Sequence, residues 1–394
     1  MSRVAFPYHA DRRDLRESAR TMCSAYPLDY WDQHDLDKEF AQEFFDEFAK
    51  AGFLGIMVPE EYGGGGGSMS DMAAVLEEVA ASGGGLNACS SVHVPLLCIP
   101  TILEFGTPEQ KEEYLRPIAE GQLFVTFGVT EPNAGTDTTK IETTARRQAD
   151  GSYLVNGAKV WNTGALRGDK VLLLARTSAQ SPGRRSGEGL TLFMADLAGD
   201  SVDIKPIPKI GRNALPSCEL FFRDHPVAAA DVIGEVDQGF YHLLHSLNGE
   251  RLLLSAEALG MGRWAIDAAV QYANDRVVFD RPIGKNQAVQ HPLAEGYMRL
   301  LAASEVVARA LADYEQHGGA AIGVIANAAK FLSTEAAFFC TDNAMQTFGG
   351  YAYAREYHIG RHWIESRLQR LAPVNNQMVL NYIAERALHL PRSY

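Results

Sequence analysis

The sequence has no long hydrophobic run. Its longest apolar patch, Val94 to Leu103, contains two prolines and is far too short to span a bilayer, so no membrane insertion is expected. Cysteine is scarce: Cys23, Cys89, Cys98, Cys218 and Cys340 are odd in number and show no paired spacing. That excludes a disulfide framework and points to a reducing compartment. Positive charge is in deficit, with 36 Lys and Arg against 49 Asp and Glu, a formal net charge of −13. Bulk electrostatics therefore disfavour nucleic acid and anionic membranes as partners. An anionic small molecule is still admissible, because it senses local donors. Met1 to Pro7 lacks a basic stretch leading into an apolar run, so no secretory signal is expected and the protein reads as cytoplasmic. There is no Gly-x-Ser-x-Gly elbow for a serine hydrolase.

The chain does have ample material for a core. Apolar residues make up 46% of 394 residues, which predicts two or three packed units. The first third reads as helical. Phe40, Phe44, Phe45 and Phe48 recur at helical spacing, as do Met72, Val75, Leu76 and Val79. Thr107-Pro108-Glu109-Gln110 is a helix start with a capping box. Gly63 to Gly67 is expected to be a mobile loop. The middle is β-rich, with strands at 123–127, 153–155, 158–161, 171–174, 190–194 and 218–222, and Asn156-Gly157 predicts a hairpin turn. Short strands without intervening long helices favour a small antiparallel β-barrel or sandwich. Ser178 to Gly189 reads as a surface loop. The last part predicts a four-helix bundle, from Gln238 to Arg276, Pro292 to His317, Ala320 to Phe348 and Gly360 to Leu390. The fold class is therefore α+β: an N-terminal helical domain (1–121), a middle β-barrel domain (122–235) and a C-terminal helical bundle (236–394).

Several motifs carry little. Gly83-x-Gly85-x-x-Ala88 and Gly260-x-Gly262-x-x-Ala265 match a loose dinucleotide pattern, but neither follows a strand. His242 and His245, or His358 and His362, can share a helix face, yet no carboxylate or cysteine completes a metal site, and none is expected. Phe127 to Asp137 is different. It leaves a strand end with hydroxyls, small residues and exposed backbone donors, suited either to a turn or to close approach by a polar cofactor.

Thr130-Glu131-Pro132-Asn133-Ala134-Gly135-Thr136-Asp137, followed by Trp161-Asn162-Thr163, resembles the flavin-binding signature of acyl-CoA dehydrogenases. Pro59-Glu60-Glu61-Tyr62-Gly63-Gly64 resembles that family's N-terminal motif, and Gln346-Thr347-Phe348-Gly349-Gly350 its glycine-rich turn. The resemblance runs through nearly the whole chain, with motifs in order, and implies FAD as cofactor. Val129, Thr130 and Thr136 would line the flavin, Thr136 near its pyrophosphate and the substrate. Trp161 would cover an edge of the isoalloxazine and Thr163 would bond near N5. Arg276, Phe279 and Gln287 would reach the FAD of a neighbouring subunit, with Gln346, Gly349, Gly350 and Gln377 at the adenosine half. A shared cofactor implies a homodimer or a homotetramer of two dimers, and the resemblance implies an electron-transferring flavoprotein as acceptor.

Desaturation beside a thioester carbonyl needs a base for the α-proton, and a carboxylate shielded from water suits that task. In most of the resembled family the base is a glutamate whose position here falls on Pro373. A minority carries it on a bundle helix before an arginine, which matches Glu250-Arg251. Glu250 is thus the expected catalytic base of an acyl-CoA dehydrogenase producing trans-2-enoyl-CoA, as in fatty acid β-oxidation. Arg251 would orient it, approach the pantetheine arm of the substrate, or serve structure alone. Proline lacks the backbone N–H that the resemblance places on the thioester oxygen. A shifted loop, a ribityl hydroxyl, or a different chemistry would each accommodate that. The alternatives are an oxygen-using flavin oxidase or monooxygenase of the same fold, or a non-catalytic acyl-CoA- or FAD-binding relative. Glu250 on a helix hints at branched, very long or unusual acyl groups, carried on CoA or on an acyl carrier protein.

Overall fold

The computed structural model describes residues 12–179 and 185–393. The Met1 to Pro7 segment and part of the Ser178 to Gly189 loop lie outside the described residues. The chain opens with helices α1 (Arg13–Cys23), α2 (Leu28–Asp37), α3 (Gln42–Lys50), α4 (Met69–Val79), α5 (Gly85–Leu96), α6 (Ile99–Phe105) and α7 (Pro108–Ala119). The expected cap of α7 forms, and α4 has one that was not anticipated. Ser68 and Asp71 make a capping box at α4, and Thr107 and Gln110 make one at α7. Gln110 also donates to the carbonyls of Ala230 and Val232, so the side chain that starts the helix docks it on the sheet.

The middle strands are β1 (Val125–Gly128), β2 (Thr144–Arg147), β3 (Tyr153–Thr163), β4 (Lys170–Arg176), β5 (Leu190–Asp196), β6 (Val202–Pro206), β7 (Ser217–Val227) and β8 (Val232–Ile233). They pair in the order β6-β7-β3-β2-β4-β5-β8, with β1 beside β4. The expected closed antiparallel barrel is not what they build. The pairing path is open, and β4 pairs in parallel with both β1 and β2. The Asn156-Gly157 hairpin is also absent. Both residues lie inside β3, at a register irregularity opposite β7. Asn156 exchanges two 2.9 Å hydrogen bonds with Asp224 on β7, which satisfies the side chain that would otherwise build a turn. Gly157, at φ 147°, lets Thr143 approach to where a Cβ would sit 2.6 Å from its hydroxyl. The β2–β3 connection instead turns at Asp150-Gly151, closed by Gln148 N–H donating to Ser152 O.

The C-terminal part holds α8 (Gly239–Asp275), the short hairpin β9 (Val277–Val278) and β10 (Arg281–Pro282), α9 (Gln287–His317), α10 (Gly323–Phe348), α11 (Ile359–Gln369) and α12 (Asn376–Arg386). The expected fourth bundle helix, Gly360 to Leu390, is two helices. The segment around Pro373 separates them, because proline cannot donate to a continuing helix. Two stretches are long and apolar enough to cross a membrane, Met69–Phe105 and Gly319–Tyr353, but most of each is packed inside the protein.

The glycine run is also a correction. Gly63 to Gly67 each donate a backbone hydrogen bond, to the carbonyls of Glu60, Pro59, Gly55, Val58 and Ile56. A Cβ on Gly64 would lie 2.0 Å from Val58 O, so glycine is required for packing here, in a pinned turn rather than a mobile loop. Gly260 and Gly262 likewise serve close helix packing. Their missing side chains admit Glu77 O of α4 on one side and Leu300 of α9 on the other. Gly260→Ala would place its Cβ 2.2 Å from Glu77 O. We expect that overpacking to cost about 1–3 kcal/mol despite alanine's better helix propensity. Urea unfolding checks this, and an unchanged midpoint would show that α4 yields.

Candidate active site

Two groups of residues singled out in the sequence come together in two separate places. The first lies where β1 and β3 end. Asn162 donates to Phe127 O at 2.7 Å, Thr126 to Thr163 O at 2.7 Å, and Val160 N–H to Thr130 O at 2.9 Å. Val129 and Thr130 are thereby fixed beside Trp161 and Thr163. Trp161 sits at a second register irregularity of β3, with φ at 64°, and its side chain is 57% exposed. A bulge re-aims a side chain. Here it turns a large aromatic outward that ordinary alternation would have buried or paired. Thr136 is exposed at the loop's far end.

Beneath this loop lies a buried ion pair that sequence reasoning missed. Lys159, fully buried on β3, donates to Val129 O at 3.1 Å and to Glu131 at 2.8 Å. Glu131 also accepts from the N–H groups of Glu142 (2.6 Å) and Thr143 (2.9 Å). Burial pushes the Lys159 pKa down to about 8, with the Glu131 carboxylate opposing that fall. Burial also penalises the charged Glu131, but Lys159 and the backbone donors hold its pKa below the ordinary value. The alternating pattern of β3 gave no sign that one inward residue is a lysine with a partner 28 positions away.

The second group surrounds a cleft of about 470 Å³ in the C-terminal part, lined by Tyr272, Arg276, Thr347, Phe348, Gly350 and Tyr351 among others. The Arg276 guanidinium lies 5.5 Å over the Tyr351 ring. Gly349 and Gly350 face open space, with no atom near where a Cβ would stand. Gln346 adjoins this cleft in sequence and is exposed. Phe279, 93% exposed with φ at 52°, caps the β9–β10 turn. Gln287 begins α9 and Gln377 lies in the first turn of α12, both exposed and neither lining the cleft. Among the described residues no hydrogen bond or ion pair joins the two groups. An exposed indole and hydroxyl in one place, and a guanidinium over an open glycine turn in the other, fit the two ends of FAD better than a compact ligand.

Glu250 lies on α8, one turn after Ser246. The five most buried acids are all engaged: Glu77 and Glu78 with arginines, Glu131 with Lys159, Glu257 with His93, and Glu365 with the Leu86 N–H and Asn87. Glu250 makes no hydrogen bond or salt bridge with any described residue. Burial raises its pKa, with His93 and Arg251 pulling the other way and Glu257 adding to the rise. Arg251 donates to Asn248 at 2.6 Å and leaves its Nε without a partner.

Pro373 is exposed on the loop between α11 and α12. Buried Lys330 of α10 pins that loop, donating to Val374 O at 2.7 Å and Asn376 at 2.6 Å. Glu335, the carboxylate beside this loop, is occupied by Arg370 and Asn376. Arg212 reaches Thr163 at 3.0 Å, Ser217 at 3.1 Å and Ser90 at 3.3 Å. Its own backbone takes φ 55°, and Lys209 holds the turn by donating to Arg212 O and Leu215 O. Neither Arg212 nor His93 carried a sequence signal, because their partners come from other elements. Elsewhere, His362 stacks on Trp264 and His242 on Phe105, and no group of metal-holding residues occurs among the described residues.

Lys159→Met would strand the Glu131 carboxylate. We expect a loss of about 3–5 kcal/mol, largely recovered when Glu131→Gln is added. Urea unfolding of the single and double variants measures this, and a single variant as stable as the double would show that the pair is not coupled.

Three family models cover the chain in order: acyl-CoA dehydrogenase N-terminal domain over residues 9–122, middle domain over 126–225 and C-terminal domain over 237–388. The chain is 34% identical to acyl-CoA dehydrogenase FadE12 of Mycobacterium bovis over the full length of both. Its structure is similar to that of butyryl-CoA dehydrogenase from Megasphaera elsdenii, with a TM-score of 0.90 and 29% identity, covering 99% of this chain and 100% of that one. It is also similar to PigA, solved with FAD and proline, at a TM-score of 0.89 and 25% identity over 99% and 100% of the two chains. The chain therefore belongs to the acyl-CoA dehydrogenase family of FAD-dependent oxidoreductases.

Proposed function

We propose that this protein removes the α-proton of an acyl-CoA thioester with Glu250 and so forms a trans-2-enoyl-CoA, passing electrons on to a separate flavoprotein. The observation that carries the assignment is the unengaged Glu250 carboxylate, set among buried acids that are all held by donors or cations. A base must be free to receive a proton, and burial raises its basicity. Pro373 has no acid to offer, and the nearby Glu335 is tied down.

Bound FAD supplies the acceptor for the β-hydrogen and its electron pair. The chain's residues do the remainder. Val129, Thr130 and Thr136 would contribute the loop that holds the flavin, Trp161 would shield it, and Thr163, braced by Arg212 and Ser217, would offer it a hydroxyl. Arg251 adds positive charge beside Glu250, favouring the ionised base. Arg276, Phe279, Gln287, Gln346, Gly349, Gly350 and Gln377 would hold the cofactor's other end across a subunit interface. Exposed Val277, Phe279 and Tyr353, which a monomer would leave in water, support a dimer or larger assembly.

Anaerobic mixing with short, medium, long and branched acyl-CoA thioesters, followed by the visible flavin band, tests the reaction. One class should bleach the band. Glu250→Gln should retain FAD and slow that bleaching by roughly 10²–10⁴-fold, the usual worth of a positioned base. Bleaching at the wild-type rate would remove Glu250 from the mechanism.

A further inference from the structure

A polar stripe runs along one face of α5, an otherwise apolar helix. Asn87, Ser90 and His93 recur every three residues, all buried. Asn87 is satisfied by Glu365, Asp35 and the Ala214 N–H, and Ser90 by Arg212. His93 is satisfied on one edge only. Its Nδ1 lies 2.6 Å from Glu257, and since a carboxylate only accepts, that nitrogen carries a proton. Its Nε2 is buried with no partner.

Glu257 and Glu250 are seven residues apart on α8, two turns along the same face and about 10 Å in rise. His93 packs onto that face from α5. Held on Glu257, the His93 ring thus packs on the helix face that carries the half-buried Glu250, close enough for each to act on the other's charge. A lone buried imidazole normally favours its neutral form. Here burial does oppose protonation, but Glu257 first and Glu250 after it hold the pKa above the ordinary histidine value, with Arg212 opposing.

We infer that His93, anchored by Glu257, is a positioning residue whose imidazolium faces Glu250 and keeps that carboxylate ionised, ready to take the α-proton. Burial alone shifts a base toward its protonated, idle form. A cation that meets it without a hydrogen bond lowers its proton affinity and leaves its lone pairs free. Arg251 acts in the same direction from α8 itself. Glu257 acts against it, and Arg212, from the loop before β7, works on the ring. The positive charges of Arg251 and of Lys330 on α10 repel one another.

This inference rests on Glu250 as the base, and the Glu250→Gln experiment tests that point separately. The test here uses FAD-loaded wild type, His93→Gln and Glu257→Gln. Two quantities are read against pH: the rate of anaerobic flavin reduction, and the infrared band of the protonated Glu250 carboxyl in substrate-free enzyme, assigned by difference from Glu250→Gln. Removing the ring's charge raises the Glu250 pKa, so the acidic limb moves to higher pH. We expect a displacement of roughly one unit in His93→Gln, as for loss of an opposite charge nearby. Glu257→Gln should move it less, because it removes an opposing negative charge along with the imidazolium. The infrared band should move in parallel. An unmoved limb and band in both variants, whatever the maximal rate, overturns the inference. If His93→Gln fails to hold FAD, the ring ¹⁵N signals of histidine-labelled wild-type holoenzyme decide: an imidazolium that Glu257→Gln neutralises supports it, and a neutral His93 ring in the active pH range overturns it.

Discussion

Helix α8 carries charge through the middle of the protein, and the elements around it are placed where they can neutralise it. A buried charge left alone costs several kcal/mol, so each must meet a partner from another element. Arg263 meets Glu77 and Glu78 of α4 at 2.8 and 3.1 Å, and Arg16 and Arg20 of α1 close the same cluster. Glu257 meets His93 of α5. Gly260 brings α4 to backbone contact and Gly262 admits the Leu300 side chain of α9, so the partners can reach. The N-terminal helices are thus bound to the C-terminal bundle by specific electrostatics as well as by a shared core.

Glu250 stands out against that background. On a helix whose Glu257 is held by His93, its carboxylate is engaged by no described residue. A structural role would have given it a cation in direct contact. Reactivity requires the opposite: burial that raises proton affinity, tempered by charges that act across a gap. The Pro373 loop shows the complementary arrangement. Lys330 and Glu335 are consumed in holding it in place, and no titratable group of that loop remains free.

The flavin loop depends on a similar economy of charge. Lys159 and Glu131 neutralise each other beneath it, and the same two side chains satisfy one carbonyl and two N–H groups of a segment that belongs to no sheet. On the loop's outer surface Thr136 is exposed. Trp161 is turned outward by its own left-handed backbone at the β3 irregularity, and Arg212, also left-handed, reaches Thr163 from the loop before β7. Two of the ten non-glycine residues with positive φ among the described residues thus flank this one place.

The sequence by itself determined the order of helices, strands and helices, the caps at Thr107 and Gln110, the limits of the long helix from 239 to 275, and the motif residues that mark the family. All of these rest on neighbours within a few positions, where spacing and propensity are decisive. Tertiary structure decided the rest. Asn156-Gly157 stays in a strand because Asp224, 68 residues later, satisfies the asparagine. The five glycines are a pinned turn because the carbonyls of residues 55 to 60 fold back onto them. β4 takes parallel partners in β1 and β2, which local alternation cannot announce. The setting of Glu250 depends on His93 and Glu257, which are 164 residues apart. Long-range charge and hydrogen bonding have no local period, so only the folded chain reveals them.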